Sequence, residues 1–121
     1  MTQTILTVDD SRTMRDMLKM ALAEAGFNVL QAVDGVDGLE VLQTSMPDVI
    51  VTDINMPKMD GFGLIEAVRK DNRYRKVPIL VLTTESDAAK KMRAKEAGAT
   101  GWIVKPFEPT KLIAAIRRVA A

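Results

Sequence analysis

Short runs of aliphatic and β-branched residues alternate along this chain with stretches whose apolar positions recur every three or four residues. That pattern predicts buried strands separated by amphipathic helices. TILTV (4–8) reads as a strand. After it, Met14, Met17, Leu18, Ala21, Leu22 and Ala25 mark one helical face, and Gly26 stops the helix as a left-handed cap. FNVLQA (27–32) is a second strand, followed by a weaker helix from about Gly35 to Ser45 carrying Val36, Leu39 and Leu42. DVIVTD (48–53) is a third strand, in which Val49, Ile50 and Val51 have the unbroken apolar character of a strand covered on both faces. From Gly61 a helix presents Leu64, Ile65 and Val68 and ends near the charged loop KDNRYRK (70–76).

PILVLT (78–83) is the fourth and most hydrophobic strand. SDAAKKMRAKEAG (86–98) is helical in character but poor in large apolar residues, so a loosely packed, exposed helix is expected. GWIV (101–104) is a short fifth strand. Beyond KPF (105–107), Pro109 suits a first helical turn, with Leu112, Ile113, Ile116 and Val119 as the closing face. Five strand–helix units with short connections imply an α/β fold, a five-stranded parallel sheet with helices on both faces. No linker, repeat or low-complexity segment interrupts the chain, so residues 1–121 are expected to form a single domain with no output domain.

Composition narrows the chemistry. At 121 residues the chain is long enough for one sizeable core. Its 17 Lys and Arg against 16 Asp and Glu point to neither nucleic acid nor a membrane surface. Cysteine and histidine are both absent, which removes disulfides, thiol nucleophiles and imidazole bases. Any metal has to be a hard cation held by oxygen. The N-terminal MTQTILTVDD lacks the basic stretch of a signal peptide, and no apolar run approaches a membrane span. A cytoplasmic protein is expected.

In an open parallel sheet, ligands gather outside the carboxyl ends of the strands, where the strand order reverses. There the sequence places Asp9 and Asp10 after the first strand, Asp53 and Asn55 after the third, Thr83 and Glu85 after the fourth, and Lys105 and Pro106 after the fifth. Singly, each has a plain structural explanation. Asp10–Ser11 suits a helix cap, the Asp-Gly pairs at 34–35, 37–38 and 60–61 suit turns, Thr83 a strand end and Lys105–Pro106 a solvated turn. Together on one sheet edge they describe a site. Three carboxylates in a half-buried cleft repel unless a cation lies among them, and such ligands suit Mg2+, which shares its shell with phosphate oxygens. Lys105 supplies a fixed positive charge and Thr83 a hydroxyl donor. A metal, a lysine and a hydroxyl around one carboxylate form a clamp for a phosphoryl group, with Asp53 as the nucleophile.

VDDS (8–11), DINMPKMDG (53–61), LTTE (82–85) and GWIVKPF (101–107) resemble the motifs of response-regulator receiver domains, over residues 4 to 120. The spacing is similar to that of chemotaxis-type, CheY-like single-domain regulators. The resemblance implies a flavodoxin-like (βα)5 fold with strand order 2-1-3-4-5, the order for which flavodoxin and CheY are themselves the standard examples. It implies that Asp53 accepts a phosphoryl group from the phosphohistidine of a CheA-like histidine kinase. Asp10 and Asp53 would ligate Mg2+ with the main-chain carbonyl of Asn55, and Asp9 would position a water in the ion's shell. Lys105 would pair with the phosphoryl oxygens, its bond to Pro106 being cis. Thr83 would move towards the phosphoryl group and the aromatic residue of the fifth strand, Trp102, would change rotamer with it, making a two-state switch. Asn55 and Glu85 match the pair that flanks the phosphoryl group and influences how water reaches it. An amide and a carboxylate there resemble the fast-turnover regulators, so a short-lived phosphorylated state is expected.

Trp102 departs from the Tyr or Phe usual in the family. An indole is larger and offers only an N–H donor, so an inward rotamer is harder to fit. An outward ring would form part of a partner surface, and as plain packing it would pad the last strand. The fourth helix, fifth strand and fifth helix are the expected partner surface. Lys90, Lys91, Arg93 and Lys95 crowd that helix, as an ordinary solvated face or as a docking site for an acidic motor, kinase or effector segment.

Neither DNA binding nor membrane insertion is expected, and a monomer is. The implied function is a stand-alone regulator acting in chemotaxis on the flagellar switch. It would not be an enzyme beyond its own phosphotransfer and autodephosphorylation. A phosphate sink, a relay intermediate or a kinase modulator would share the fold, and a phosphatase would be a further partner. A haloacid-dehalogenase-like phosphohydrolase also uses a strand-end aspartate with Mg2+. It needs a second carboxylate two residues on, where this chain has Asn55, which cannot shuttle a proton. A flavodoxin-like cofactor binder would need a phosphate-cradling loop where DDS repels phosphate unless a metal intervenes.

Overall fold

The apolar runs form five strands: β1 (Thr4–Val8), β2 (Asn28–Ala32), β3 (Val49–Thr52), β4 (Ile79–Thr83) and β5 (Gly101–Val104). The structure, a computed structural model, describes residues 2–120, so the end residues of the expected domain, Met1 and Ala121, lie outside it. All strands pair in parallel in the order β2-β1-β3-β4-β5, the order implied by the family resemblance. Parallel neighbours need crossovers, and five helices follow the strands in turn. They are α1 (Arg12–Glu24), α2 (Gly35–Leu42), α3 (Gly61–Lys70), α4 (Ala88–Ala97) and α5 (Pro109–Ala120).

Successive strand residues point to opposite faces, and here both faces are apolar. Leu6, Ile50, Ile79 and Val81 pack with Leu64, Ile65 and Val68 of α3. Ile5, Val49, Val51, Leu80 and Leu82 pack with Leu18, Leu22, Leu112 and Ile116 of α1 and α5. Burial of this surface, at about 25 cal/mol per Å2, is the main force holding the layers. The register pairs Ile5 with Val49 and Val8 with Thr52, so β1 and β3 end side by side. The strand order reverses at that point, and the two chains leave the sheet there as Asp9 and Asp53.

Helix starts are written in the same loops. Ser11, Asp34, Asp60 and Asp87 each accept a backbone N–H of the helix that follows, satisfying a donor the helix itself cannot. Asp34–Gly35 and Asp60–Gly61, expected as turns, are therefore N-caps with their first helical residues, and Asp37–Gly38 lies inside α2. Gly26 has a φ of 94°, as its expected role after α1 requires.

Some boundaries differ from expectation. β2 starts at Asn28 and not Phe27, α2 ends at Leu42 and not Ser45, and α4 runs only from Ala88 to Ala97. Val36, expected on the inner face of α2, is exposed, while Gly35, Gly38 and Leu42 are buried. The close approach is at Gly35, where a Cβ would lie 2.7 Å from Met59, while a Cβ on Gly38 would meet Val8 in ordinary contact at 3.4 Å. Among the described residues no helix is long and apolar enough to cross a membrane.

Candidate functional site

Asp9 and Asp53 are fixed first through their backbones. The Asp53 N–H donates to the Val8 carbonyl at 2.9 Å, and the Asp9 N–H to the Ala32 carbonyl at 3.1 Å. Asp9 is 2% exposed, a burial that a carboxylate tolerates only with full hydrogen bonding. It has that: Oδ1 accepts the Ser11 N–H at 2.9 Å and Oδ2 accepts Lys105 Nζ at 2.8 Å. Asp53 is held in the same way, with Oδ1 accepting the Ile54 N–H at 2.7 Å and Oδ2 accepting Lys105 Nζ at 2.9 Å. Asp10 is exposed at the rim, and carboxylate oxygens of Asp9, Asp10 and Asp53 lie within 4.8 Å of one another.

Lys105 starts beyond β5, so its ammonium reaches past β4 to Asp53, two strand intervals or roughly 10 Å away. Its peptide bond to Pro106 is cis. Burial alone pushes the pKa of this ammonium down, but the hydrogen bonds and charges of Asp9 and Asp53 together outweigh it, and the pKa stands above the ordinary lysine value. One ammonium among three carboxylates still leaves the cleft negative. The donor set is oxygen alone, which fits a hard divalent cation such as Mg2+.

Thr83, Glu85, Asn55 and Trp102 form a second group around the β4–α4 loop. The Thr83 hydroxyl is buried and accepts the Glu85 N–H at 3.3 Å. Glu85 Oε1 accepts both Asn55 Nδ2 at 3.3 Å and Lys90 Nζ at 3.1 Å. These two hydrogen bonds, that of Lys90 first, hold the Glu85 carboxyl below its usual pKa. The half-buried Trp102 donates its indole N–H to the Glu85 carbonyl at 3.1 Å. The ring packs beside the α3-side core and, with Met92, Lys91 and Lys95, lines a cleft of about 460 Å3 between α4 and β5. Asn55, two residues after Asp53, thus ties the carboxylate cluster to this loop.

All eight strand-end residues singled out in the sequence therefore stand in one of two linked groups. Three others belong with them. Arg15 Nη1 donates to the Asp9 carbonyl at 2.8 Å, and Lys90 pairs with Glu85. Neither has a sequence signal, because each contact depends on how a helix leaves its loop. Gly61 had one in the Asp60–Gly61 pair. Its N–H donates to the Ile54 carbonyl at 2.8 Å, and a Cβ there would lie 2.3 Å from the Asp53 carbonyl oxygen. Only glycine lets α3 start so close to Asp53.

Known proteins resemble this chain in sequence and fold. The family model of the response regulator receiver domain matches residues 5–117. The chemotaxis protein CheY1 of Helicobacter pylori is 44% identical over 110 residues, covering 89% of each chain. The probable transcriptional regulator ycf27 of Guillardia theta is 42% identical over 115 residues, and the present chain spans 44% of its length. The solved structure of the chemotaxis response regulator CheY4 of Vibrio cholerae matches with a TM-score of 0.93 and 44% identity, covering 98% of this chain and 99% of that one. A family model matched from β1 into α5, on a sheet wound in the same order, leaves one assignment: this chain belongs to the response-regulator receiver domains, of the CheY-like kind.

Proposed function

We propose that this chain is the phosphoacceptor of a two-component system, taking a phosphoryl group on Asp53 from the phosphohistidine of a histidine kinase. The observation that carries this reading is the single ammonium of Lys105 bridging Asp9 and Asp53 beside a third carboxylate. An Asp53 oxygen attacks phosphorus, the P–N bond breaks, and its electron pair stays with the departing imidazole, leaving an acyl phosphate on Asp53. Lys105, already against Asp53 Oδ2, is placed to pair with the phosphoryl oxygens. Asp9, Asp10 and Asp53, with the main-chain carbonyl of Asn55, are the residues that would hold Mg2+. Bound there, the ion would neutralise charge on the transferring group. Thr83 offers its hydroxyl to that group. Because its oxygen holds the Glu85 N–H, its movement reaches Glu85 and so Trp102. Asn55 and Glu85, hydrogen-bonded to each other, match the family pair that would flank the path of a hydrolytic water, which supports a short-lived phosphorylated state.

The chain then acts as a signalling protein whose only catalysis is its own phosphorylation and dephosphorylation. α4, β5 and α5 present the changed surface to a partner. Likeness to CheY1 and CheY4 over most of their length supports chemotaxis output at the flagellar switch. The test is phosphorylation by acetyl phosphate with Mg2+, read by intact-mass spectrometry. Wild type should gain one phosphoryl group, and Asp53→Asn or chelation of Mg2+ should abolish the gain. A variant labelled as readily as wild type removes Asp53 from this role.

A further inference from the structure

We propose that Lys58 is the residue that recognises the phosphodonor protein, by pairing with an anionic side chain on the donor's surface; this rests on the phosphoacceptor reading above. Five connections leave the sheet at the carboxyl ends of the strands: 9–11, 33–34, 53–60, 84–87 and 105–108. In that order they carry two, one, two, two and one carboxylates, eight in all, against two cations, Lys58 and Lys105. Lys105 is committed to Asp9 and Asp53. Cations in the first turns of the following helices have partners too: Arg15 the Asp9 carbonyl and Lys90 the Glu85 carboxylate, while Arg12 and Lys111 form exposed surface pairs with Asp16 at 4.0 Å and Glu108 at 3.6 Å. Lys91 faces the α4–β5 cleft. Lys58 is exposed and has no ion-pair partner among the described residues. It is the free cation of an edge that otherwise repels an anionic visitor.

Its backbone carries the second argument. Lys58 has a φ of 66°, and among the described residues no other residue but glycine has a positive φ. The loop imposes this conformation. Met59 donates its N–H to the Pro57 carbonyl at 2.7 Å, and the Met59 carbonyl accepts the Gly35 N–H at 3.1 Å. Pro57 is fixed by its ring, Met59 is anchored on α2, and the residue between them turns left-handed. Glycine occupies that region without strain and asparagine with little, whereas a lysine there is held at a cost. Strained residues of this kind persist where the surrounding structure imposes them, and they cluster at active and switch sites. Lys58 rides on the loop that begins at Asp53, so its charge sits at the entrance a phosphohistidine has to use. One fixed cation on a negative rim both attracts and orients an incoming acidic surface.

The experiment compares two donors, acetyl phosphate and a phosphorylated chemotaxis-type histidine kinase that labels the wild-type chain. Lys58→Glu keeps the backbone strain and reverses the charge. It should slow transfer from the kinase by about tenfold or more and flatten its salt dependence, as loss of electrostatic steering does. Lys58→Gly should slow it less while melting no lower than wild type, because the loop no longer holds a side chain in a left-handed turn. Lys76→Glu, with the same charge change in the α3–β4 loop, should transfer at the wild-type rate. Labelling by acetyl phosphate should change less than about twofold in all three, since that donor presents no protein surface. Wild-type transfer from the kinase in Lys58→Glu overturns the proposal, and so does an equal loss with both donors, which would place Lys58 in the phosphoryl site. Failure of the wild-type chain to label with acetyl phosphate would instead sink the phosphoacceptor reading itself.

Discussion

α3 and α4 are both ten residues long, pack against each other and serve the same hydrophobic cluster, yet they are fastened by different physics. α3 buries Phe62, Leu64, Ile65 and Val68, and α4 buries only Ala94. Polar clamps hold α4 instead. Arg69 donates to the Gly98 carbonyl from Nε at 3.0 Å and from Nη2 at 2.9 Å, Arg93 lies 4.0 Å above the Phe62 ring, and Lys90 holds Glu85. Apolar burial is non-directional and large in sum, so it makes an anchor. Hydrogen bonds and ion pairs near water contribute little net energy each and have defined alternatives, so they suit a part that moves. α4 follows directly from Thr83 and Glu85, so the helix fastened by polar contacts adjoins the proposed phosphorylation site.

The comparison can be broken most decisively in α3. Ile65→Ala should cost about 2–5 kcal/mol in urea unfolding, while Met92→Ala on exposed α4 should stay within about 0.5 kcal/mol. Equal losses would mean that α4 carries hidden packing. Arg69→Ala should cost about 1–3 kcal/mol, because the carbonyls of Gly98, Tyr74 and Arg75 lose their donor. Its mark should be faster amide exchange at the C-terminal end of α4. In wild type, native-state hydrogen exchange should find the α4 amides opening at least about tenfold more readily than those of α3. Smallest is an optical change. Trp102 is the only tryptophan, and its N–H is tied to the loop whose Glu85 N–H Thr83 accepts, so phosphorylation as proposed should shift its emission. An unaltered spectrum would detach the indole from the switch.

The contrast between the two helices was visible in the sequence, since Leu64, Ile65 and Val68 have a helical period and 86–98 has no large apolar stripe. The strands were equally legible because each carries apolar residues on both faces, fully in β3 and β4 and partly in the edge strands β2 and β5. The site could be read because a parallel sheet delivers its strand ends to one edge, whatever the details of packing. What could not be read depends on distances between elements. The tight seat of Gly35 against Met59, with Gly38 and Leu42 buried beside it, leaves Val36 facing outward. Asp34 and Asp60 cap helices, a role the same dipeptide does not distinguish from a turn. Trp102 could be foreseen as a departure, but its partner, a main-chain carbonyl in the next loop, leaves no trace in residue identity.

Lys105 has a mechanical meaning as well as an electrical one. Rooted past β5 and bonded to groups that follow β1 and β3, it is a tie-rod laid across the end of β4. A tie-rod fixes the width of a frame; β4 is held in its ladders to β3 and β5, and what the ammonium leaves unbonded is the loop that continues past Thr83. The segment under the rod is Thr83 and the loop into α4, so a pull on that hydroxyl, as the proposed function requires, would be spent along the loop and not in prying strands apart. A five-stranded sheet built this way would pass a displacement to its flank while its own outline stays still.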